Sequence, residues 1–288
     1  TCEETVTLDA GEGYDSYLWS TGETTQTIEA NESGTYSVDI ANYSSDELEN
    51  NYSMSFNGSE NIEFPYNFNQ TNTDGFSIQF WAKTNWLQQP STQFGPYGQT
   101  CEETIINFGD GVGIAGPYRY GFTRNCDGDL VSAIEGQEIT NGSYITTYMD
   151  DIGIDDYEWI NICATFQVDG THKVYINGIQ TASGTFELSN NLIGITSGLH
   201  CIGNNTDNRF FNGFIDNLSL WNKTLTEIEI EKNILCSSYE NEDSLISYWN
   251  FEEGVGDITY DLSPNNNNGT INGATYDDQT PEQECEIV

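Results

Sequence analysis

The residue types that most often carry chemistry are plentiful in this chain, and their spacing argues against catalysis. Glu227-Ile-Glu-Ile-Glu231 alternates carboxylates as a glycoside-cleaving strand would, where two carboxyl groups roughly 5 to 5.5 Å apart act as nucleophile and acid. The segment reads as helix, however, and alternate residues of a helix do not share a face, so these acids are assigned to the surface. Asp150-Asp151 and Asp155-Asp156 fall in a Gly-containing turn before Trp159 and read as a solvated acidic run. Gly109-Asp-Gly-Val-Gly113 is rich in glycine, but no Lys follows it and no helix pattern begins there, so it does not read as a phosphate loop. There is no Gly-x-Ser-x-Gly elbow, and His172 and His200 stand in no metal motif. These residues together predict a protein that is not an enzyme.

Seven cysteines, at 2, 101, 126, 163, 201, 236 and 285, include no Cys-x-x-Cys pair. Disulfides in an oxidising compartment are therefore favoured over zinc, and the odd count leaves one thiol free or paired elsewhere. The 288 residues carry 46 acidic side chains against seven basic ones, a net charge of −39. Nucleic acid needs clustered Lys and Arg, and so does a polybasic hold on anionic lipid, so neither partner is expected. A 36% apolar and 13% aromatic content argues for a packed core rather than disorder. No run of about 18 apolar residues is present to span a membrane. Thr1-Cys2-Glu3-Glu4 lacks the basic and apolar regions of an export signal, and the sequence reads as a mature chain or a fragment. Ten Asn-x-Ser/Thr sequons mark a polar surface without proving a glycan.

The elements that would position any site are nearly all strands. Thr5–Leu8, Ser16–Ser20, Thr25–Ala30 and Thr35–Ile40 read as short strands separated by Asp15-Ser16, Thr21-Gly22 and Ser33-Gly34. Residues 1–45 form a first unit on this reading, and the acidic stretch Tyr43–Asn50 separates it from the remainder, 46–288. In the remainder, Phe76, Ile78, Phe80 and Ala82 alternate with Ser77, Gln79 and Trp81, and Ile160, Ile162, Ala164 and Phe166 share one face. Asp169-Gly170 signals a hairpin into Lys173–Gly178. One helix is expected over Leu225–Leu235, started by a capping box of Thr224 with Glu227. The fold class is all-β, a two-sheet sandwich of the jelly-roll kind.

Two resemblances sharpen this picture. Leu8 to Ile28, through Trp19, followed by Ser33-Gly-Thr-Tyr-Ser-Val38, resembles the immunoglobulin-like modules of large secreted surface proteins of Bacteroidetes-type bacteria. From Asn51 onward the chain resembles a laminin-G-like domain of the concanavalin A-like lectin and glucanase fold. The motifs are Ser55-Phe-Asn-Gly58 with Ile62-Glu-Phe64, Phe76-Ser-Ile-Gln-Phe-Trp81, Trp159 to Phe166, Val174-Tyr-Ile-Asn-Gly178, Ile202-Gly203, Asn212 to Trp221, and Tyr248-Trp-Asn-Phe-Glu-Glu-Gly254 with Tyr260-Asp-Leu-Ser263. The last block precedes the Phe-Asn-Gly block in many relatives. A permuted segment 238–288 is therefore expected to lie beside the Asn51 to Phe64 strand.

The resemblance implies a structural calcium ion. Asp216 is the leading ligand candidate, read as sharing the inward parity of Leu218 and Leu220, with Asn57 and Asp261 as partners; capping of turns by these aspartates is the competing expectation. It also implies glycan contact through loop aromatics, for which Trp86, Tyr97, Tyr118 and Tyr120, with Arg119, are candidates beside the alternative that they pack loops onto the sandwich. Expected disulfides are Cys236–Cys285 across the tail, Cys163–Cys201 if their strands are neighbours, and Cys101–Cys126 around the Gly-rich insertion, leaving Cys2 over. The implied function is a non-catalytic adhesion or recognition module at the surface of a bacterial cell, exported and extracellular. Its partner would be a polysaccharide or glycoprotein surface, with neighbouring modules of the same long chain. The alternatives are an accessory carbohydrate-binding module of a polysaccharide-degrading enzyme and an architectural spacer in a surface filament.

Overall fold

A computed structural model describes residues 5–12, 16–21, 23, 25–31, 33–41, 50–64, 70–72, 74–87, 93–95, 98–100, 103–108, 119–125, 127–135, 139–141, 143–188, 193–195, 200–204, 209–237 and 243–283. The chain divides into two units, Thr1–Glu49 with Gln283–Val288, and Asn50–Glu282. In the smaller unit, Val6–Asp9 pairs with Thr27–Ala30 and Ser16–Trp19 with Val38–Ala41, both antiparallel. Trp19 is buried there and its indole N–H donates to the Thr25 carbonyl at 2.8 Å.

The larger unit is a sandwich of two antiparallel layers. Among the described residues, the first layer runs in pairing order Ile179–Thr185, Thr171–Ile176, Trp159–Phe166, Phe76–Lys83, Asn212–Trp221, Ser53–Asn57 and Thr275–Asp277, with Leu245–Trp249 also paired to Asn212–Trp221. The second runs Ser143–Thr147, Leu130–Glu135, Arg119–Arg124, Glu103–Phe108, His200–Ile202, Asn61–Phe64, Gly269–Asn272 and Ile258–Thr259. The tail thus adds strands to both layers beside the first strands of the unit: Thr275–Asp277 lies against Ser53–Asn57, and Gly269–Asn272 against Asn61–Phe64.

Alternation decides what meets between the layers. Phe76, Ile78, Phe80 and Ala82 pack with Ile160, Ile162, Ala164 and Phe166 and with Ile62, Phe64, Ile106, Phe108 and Phe122 in one core. Phe80 meets Phe122 edge to face at 5.1 Å, and Trp249 lies 4.2 Å from Phe64, ring centre to ring centre. Full burial of a large apolar side chain contributes about 1.5–3 kcal/mol, so this seam is the main source of stability.

The helix α1 (Glu227–Leu235) covers the outer side of the first layer. It starts two residues later than the sequence predicts. Thr226 and Glu229 form the capping box, while the Thr224 hydroxyl donates to backbone carbonyls of Asp74 and Phe166. Thr224-x-x-Glu227 and Thr226-x-x-Glu229 both match the capping pattern, and packing selects the second. Leu225 precedes the cap and lies buried with Ile230 in one cluster with Cys163, Tyr175, Trp221, Leu245 and Tyr248, which is a hydrophobic staple.

The expected Cys163–Cys201 bridge does not form. Both thiols are free and buried. Cys163 belongs to the first layer beneath α1, whereas Cys201 sits in the second layer between Asn107 and Glu63. Each side chain has the outward parity that the sequence suggests, and this very parity points them away from one another. Burial pushes both thiols up, Cys201 to about 12. Cys2, Cys101, Cys126 and Cys285 lie outside the described residues.

His172 is buried between the layers, its Nε2 2.9 Å from Ser132 Oγ and its ring 4.4 Å from that of Phe166. Burial pushes His172 down to about 3 and His200 to about 4. An unfolded histidine takes up its proton near pH 6.5, roughly. The stability these groups preserve is therefore complete above that pH and is lost as pH falls toward the folded values. The melting midpoint should accordingly fall more steeply between pH 7 and pH 5, approximately, in the wild type than in His172→Gln, which keeps a partner for Ser132 but cannot titrate. Equal slopes would show that His172 does not drive acid sensitivity.

Candidate functional site

Ser143–Thr147 is an edge strand that pairs with Leu130–Glu135. Its alternation buries Ile145 and Thr147 and turns Tyr144, Thr146 and then Tyr148 outward, leaving the two tyrosines 61% and 60% exposed. The chain then crosses from the second layer to the first through a short 3-10 helix, Met149–Ile152, ended by Gly153 in the left-handed region. Met149 and Ile154 enter the core and Ile152 packs against it, so the crossover seals this end of the sandwich. At its far side Tyr157 is 60% exposed with φ 59°, and its N–H donates to the Thr84 carbonyl at 2.8 Å.

A braced floor supports Tyr157. Leu87 N–H donates to Asp156 Oδ1 at 2.6 Å, and Asp155 N–H donates to Glu158 Oε2 at 3.0 Å. Trp86 Nε1 donates to the Glu158 carbonyl at 2.9 Å. The Arg124 guanidinium lies 5.8 Å from the Trp86 ring centre, and it donates to Glu103 Oε2 at 3.0 Å and to the Asn85 carbonyl at 2.7 Å. Burial pushes the Glu103 carboxyl up, opposed by the guanidinium beside it.

Trp86 is therefore not the exposed sugar platform that its loop-like sequence suggests. It is 1% exposed, with its N–H satisfied inside the protein. Arg119 and Tyr120 are not loop residues either; they open the strand Arg119–Arg124, opposite Glu135 and Ile134. Tyr97 and Tyr118 lie outside the described residues. The structure instead presents Tyr144, Tyr148 and Tyr157, which sequence reasoning missed. The available signal was Tyr-Ile-Thr-Thr-Tyr over 144–148, a strand pattern with tyrosine on the polar face.

The three residues named for a metal do not form one site. A bulge lies between Asp216, opposite Trp81, and Ser219, opposite Gln79. The additional residue is Asn217, with φ 48°. Leu218 and Leu220 consequently face the core while Asp216 turns outward, contrary to the parity read from sequence. There it is fully buried: Asn50 Nδ2 donates to Oδ2 at 2.8 Å and Asn217 N–H to Oδ1 at 2.7 Å. Asn57 pairs with Asn212, four positions along the strand from Asp216, on the order of 13 Å away at strand rise. Asp261 is occupied elsewhere. Its Oδ1 accepts from the backbone N–H groups of Tyr248 and Ser263, both at 2.9 Å, and its Oδ2 accepts from Ser263 Oγ at 2.9 Å and Asn267 N–H at 2.8 Å.

Burial raises the Asp216 carboxyl well above the usual range, and the Glu252 carboxylate pushes the same way. Glu252 itself accepts from Asn51 and Tyr52 N–H groups, each at 2.9 Å, and Asn50 Nδ2 also lies 3.5 Å from the Pro281 carbonyl. The two carboxylates and the Pro281 carbonyl are of the hard oxygen type that calcium takes, about six to eight in a full cage, whereas Asn50 turns its NH2 group toward Asp216. Among the described residues, no group of three or more His, Cys, Asp or Glu is gathered.

The family model Laminin G 3, described as concanavalin A-like lectin/glucanases superfamily, matches residues 56–231. A proposed carbohydrate-binding protein from Bacteroides ovatus is similar in structure at 15% identity and a TM-score of 0.59, covering 88% of this chain and 68% of that one. A heptameric SAP-like pentraxin from Limulus polyphemus is similar at 13% identity and a TM-score of 0.50, covering 83% and 99% respectively. Both likenesses concern the fold. No curated protein matches the sequence.

Removing Arg124 would leave Glu103 buried without its partner. Arg124→Met should lower unfolding free energy by about 3–5 kcal/mol in urea titrations, and Arg124→Met with Glu103→Gln should recover part of it. A loss below about 1 kcal/mol would show that the pair does not brace the Trp86 floor.

Proposed function

Because the chain belongs to the concanavalin A-like lectin/glucanases superfamily, we propose that it is a non-catalytic glycan-recognition module of an exported bacterial surface protein. The observation that carries this reading is the exposure of Tyr144, Tyr148 and Tyr157, each more than half open to solvent, along the edge strand Ser143–Thr147 and the crossover that follows it. Tyrosine presents a flat apolar face with a polar tip, which suits the apolar face of a sugar ring and its hydroxyls. The partner is a polysaccharide or glycoprotein surface, and repetition of modules along a longer chain would supply avidity.

Other features fit the same setting. Glu227, Glu229 and Glu231 lie on α1, where Glu229 is engaged by Thr226 and by Lys223 at 2.8 Å, a structural use that supports a non-catalytic reading. Cys236 is disulfide-bonded, which favours an oxidising, extracellular compartment. The smaller unit, with its two antiparallel pairs and buried Trp19, is read as part of an immunoglobulin-like module. Calcium is assigned to Asp216, with Glu252 and the Pro281 carbonyl as further oxygen donors. When bound, the ion would supply the positive charge that the buried Asp216 carboxylate lacks among its described neighbours.

A glycan array tests the recognition reading. The wild type should bind a subset of glycans, and Tyr144→Ala with Tyr148→Ala should weaken that binding about tenfold or more at an unchanged melting midpoint. Absence of binding to any glycan, with and without calcium, would overturn it. For the ion, added calcium should raise the midpoint, EGTA should lower it, and Asp216→Asn should remove the response. An unchanged midpoint in EGTA would refute a structural calcium.

A further inference from the structure

We propose that Tyr157 and Leu87 form a preorganised platform for a neutral saccharide ring, and that this end of the sandwich excludes acidic glycans. The inference rests on the glycan-recognition reading and names the ligand class and a contact for it.

Backbone geometry singles out Tyr157. Among the described residues, five that are not glycine have positive φ: Tyr157, Asn177, Asn217, Phe251 and Asn266. Asparagine tolerates this region, whereas for a bulky residue it is a strained outlier. For Phe251 the cost is offset by complete burial of its ring in the core. Tyr157 has no such compensation, since its side chain is 60% exposed. Such conformations persist only where the surroundings over-determine them, and they do so for Tyr157: its N–H is held by Thr84, and its neighbours are tied to Leu87, Trp86 and, through Trp86, to Arg124. The tie from Leu87 N–H to Asp156, the residue before Tyr157, holds a second exposed apolar side chain in the same segment, 44% open to solvent. A backbone already fixed at both residues loses little conformational freedom on binding.

Charge fixes the class of ligand. From Asn125 to His172 the sequence contains no Lys or Arg. Asp151, Asp155 and Glu158 are exposed along the crossover. Among the described residues, Arg124 is committed to Glu103 and the Asn85 carbonyl, and Lys83 to Gln279 at 3.0 Å and to the rings of Trp159 and Phe214. Carboxylates accept hydrogen bonds from sugar hydroxyls and repel uronate, sialate or sulfate groups.

The test is an array of neutral and acidic oligosaccharides in EDTA, at low and high salt, with the wild type, Tyr157→Gly, and the Tyr144→Ala/Tyr148→Ala variant. Wild-type binding should be confined to neutral glycans and be insensitive to salt. Tyr157→Gly relieves the backbone strain, so its melting midpoint should hold or rise while binding falls about tenfold. Binding of acidic glycans in EDTA overturns the inference. So does full binding by Tyr157→Gly when the Tyr144/Tyr148 variant has lost it, and that result leaves glycan recognition standing. A wild type that binds nothing overturns both.

Discussion

The strand Phe76–Lys83 is buried on both faces, and the rest of the larger unit is arranged around that constraint. Its inward residues are hydrocarbon and need only close packing. Its outward residues Ser77 and Gln79 are polar and equally buried, so each must find partners or cost about 1–3 kcal/mol. Gln79 Nε2 donates to Asn161 Oδ1 and to the Ile230 carbonyl, and its oxygen accepts from Asn233. Ser77 donates to the Lys223 carbonyl and accepts from Leu225 N–H. Those bonds fix where α1 begins and how it lies, and an apolar stripe alone would allow it to slide. With α1 occupying the outer side of this layer, Tyr144 is presented by the edge strand of the other layer, and Tyr148 and Tyr157 by the crossover between the two.

The scarcity of cations has a structural counterpart. Of seven basic residues, Arg124 joins a buried pair, Lys223 binds Glu229 at the start of α1, and Lys83 lies between Trp159 and Phe214. Positive charge at these positions braces the scaffold, and the carboxylates are left in large excess at the surface. Screening over roughly 8 Å at physiological ionic strength makes such repulsion tolerable. On the proposed reading, such a surface selects by charge in one direction, toward neutral or cationic chemistry.

Much of the sandwich was legible in the sequence because its strands obey strict alternation. Phe76–Lys83 and Trp159–Phe166 have the predicted bounds or nearly so and the predicted inner faces. What alternation cannot convey is where it is broken and which strands become neighbours. The bulge at Asn217 reverses the side of Asp216, and nothing in Ile-Asp-Asn-Leu announces it. The parity of Cys163 and Cys201 was readable, but their assignment to different layers is a property of topology. Trp86 looked like a loop aromatic because local sequence carries no record of Arg124, thirty-odd positions away, lying over its ring. Tyr144 and Tyr148 were hidden for the opposite reason: one sits on a strand and the other just beyond it, where exposure depends on whether anything covers that face of the sheet.

The same bulge creates the most demanding electrostatic feature of the fold. A carboxyl group at complete burial, with an amide and one backbone N–H as donors and a second carboxylate nearby, cannot remain an isolated anion at low cost. It must take up either a proton or a cation. Both would occupy the same oxygens, so they compete, and a metal that requires the deprotonated form loses affinity as pH falls. The raised Asp216 carboxyl and the calcium ion proposed for it thus answer a single deficit of positive charge. Tyr157 is its steric analogue at the other side of the unit's chemistry: a local cost the fold sustains by bracing, and one that a bound partner would turn to use.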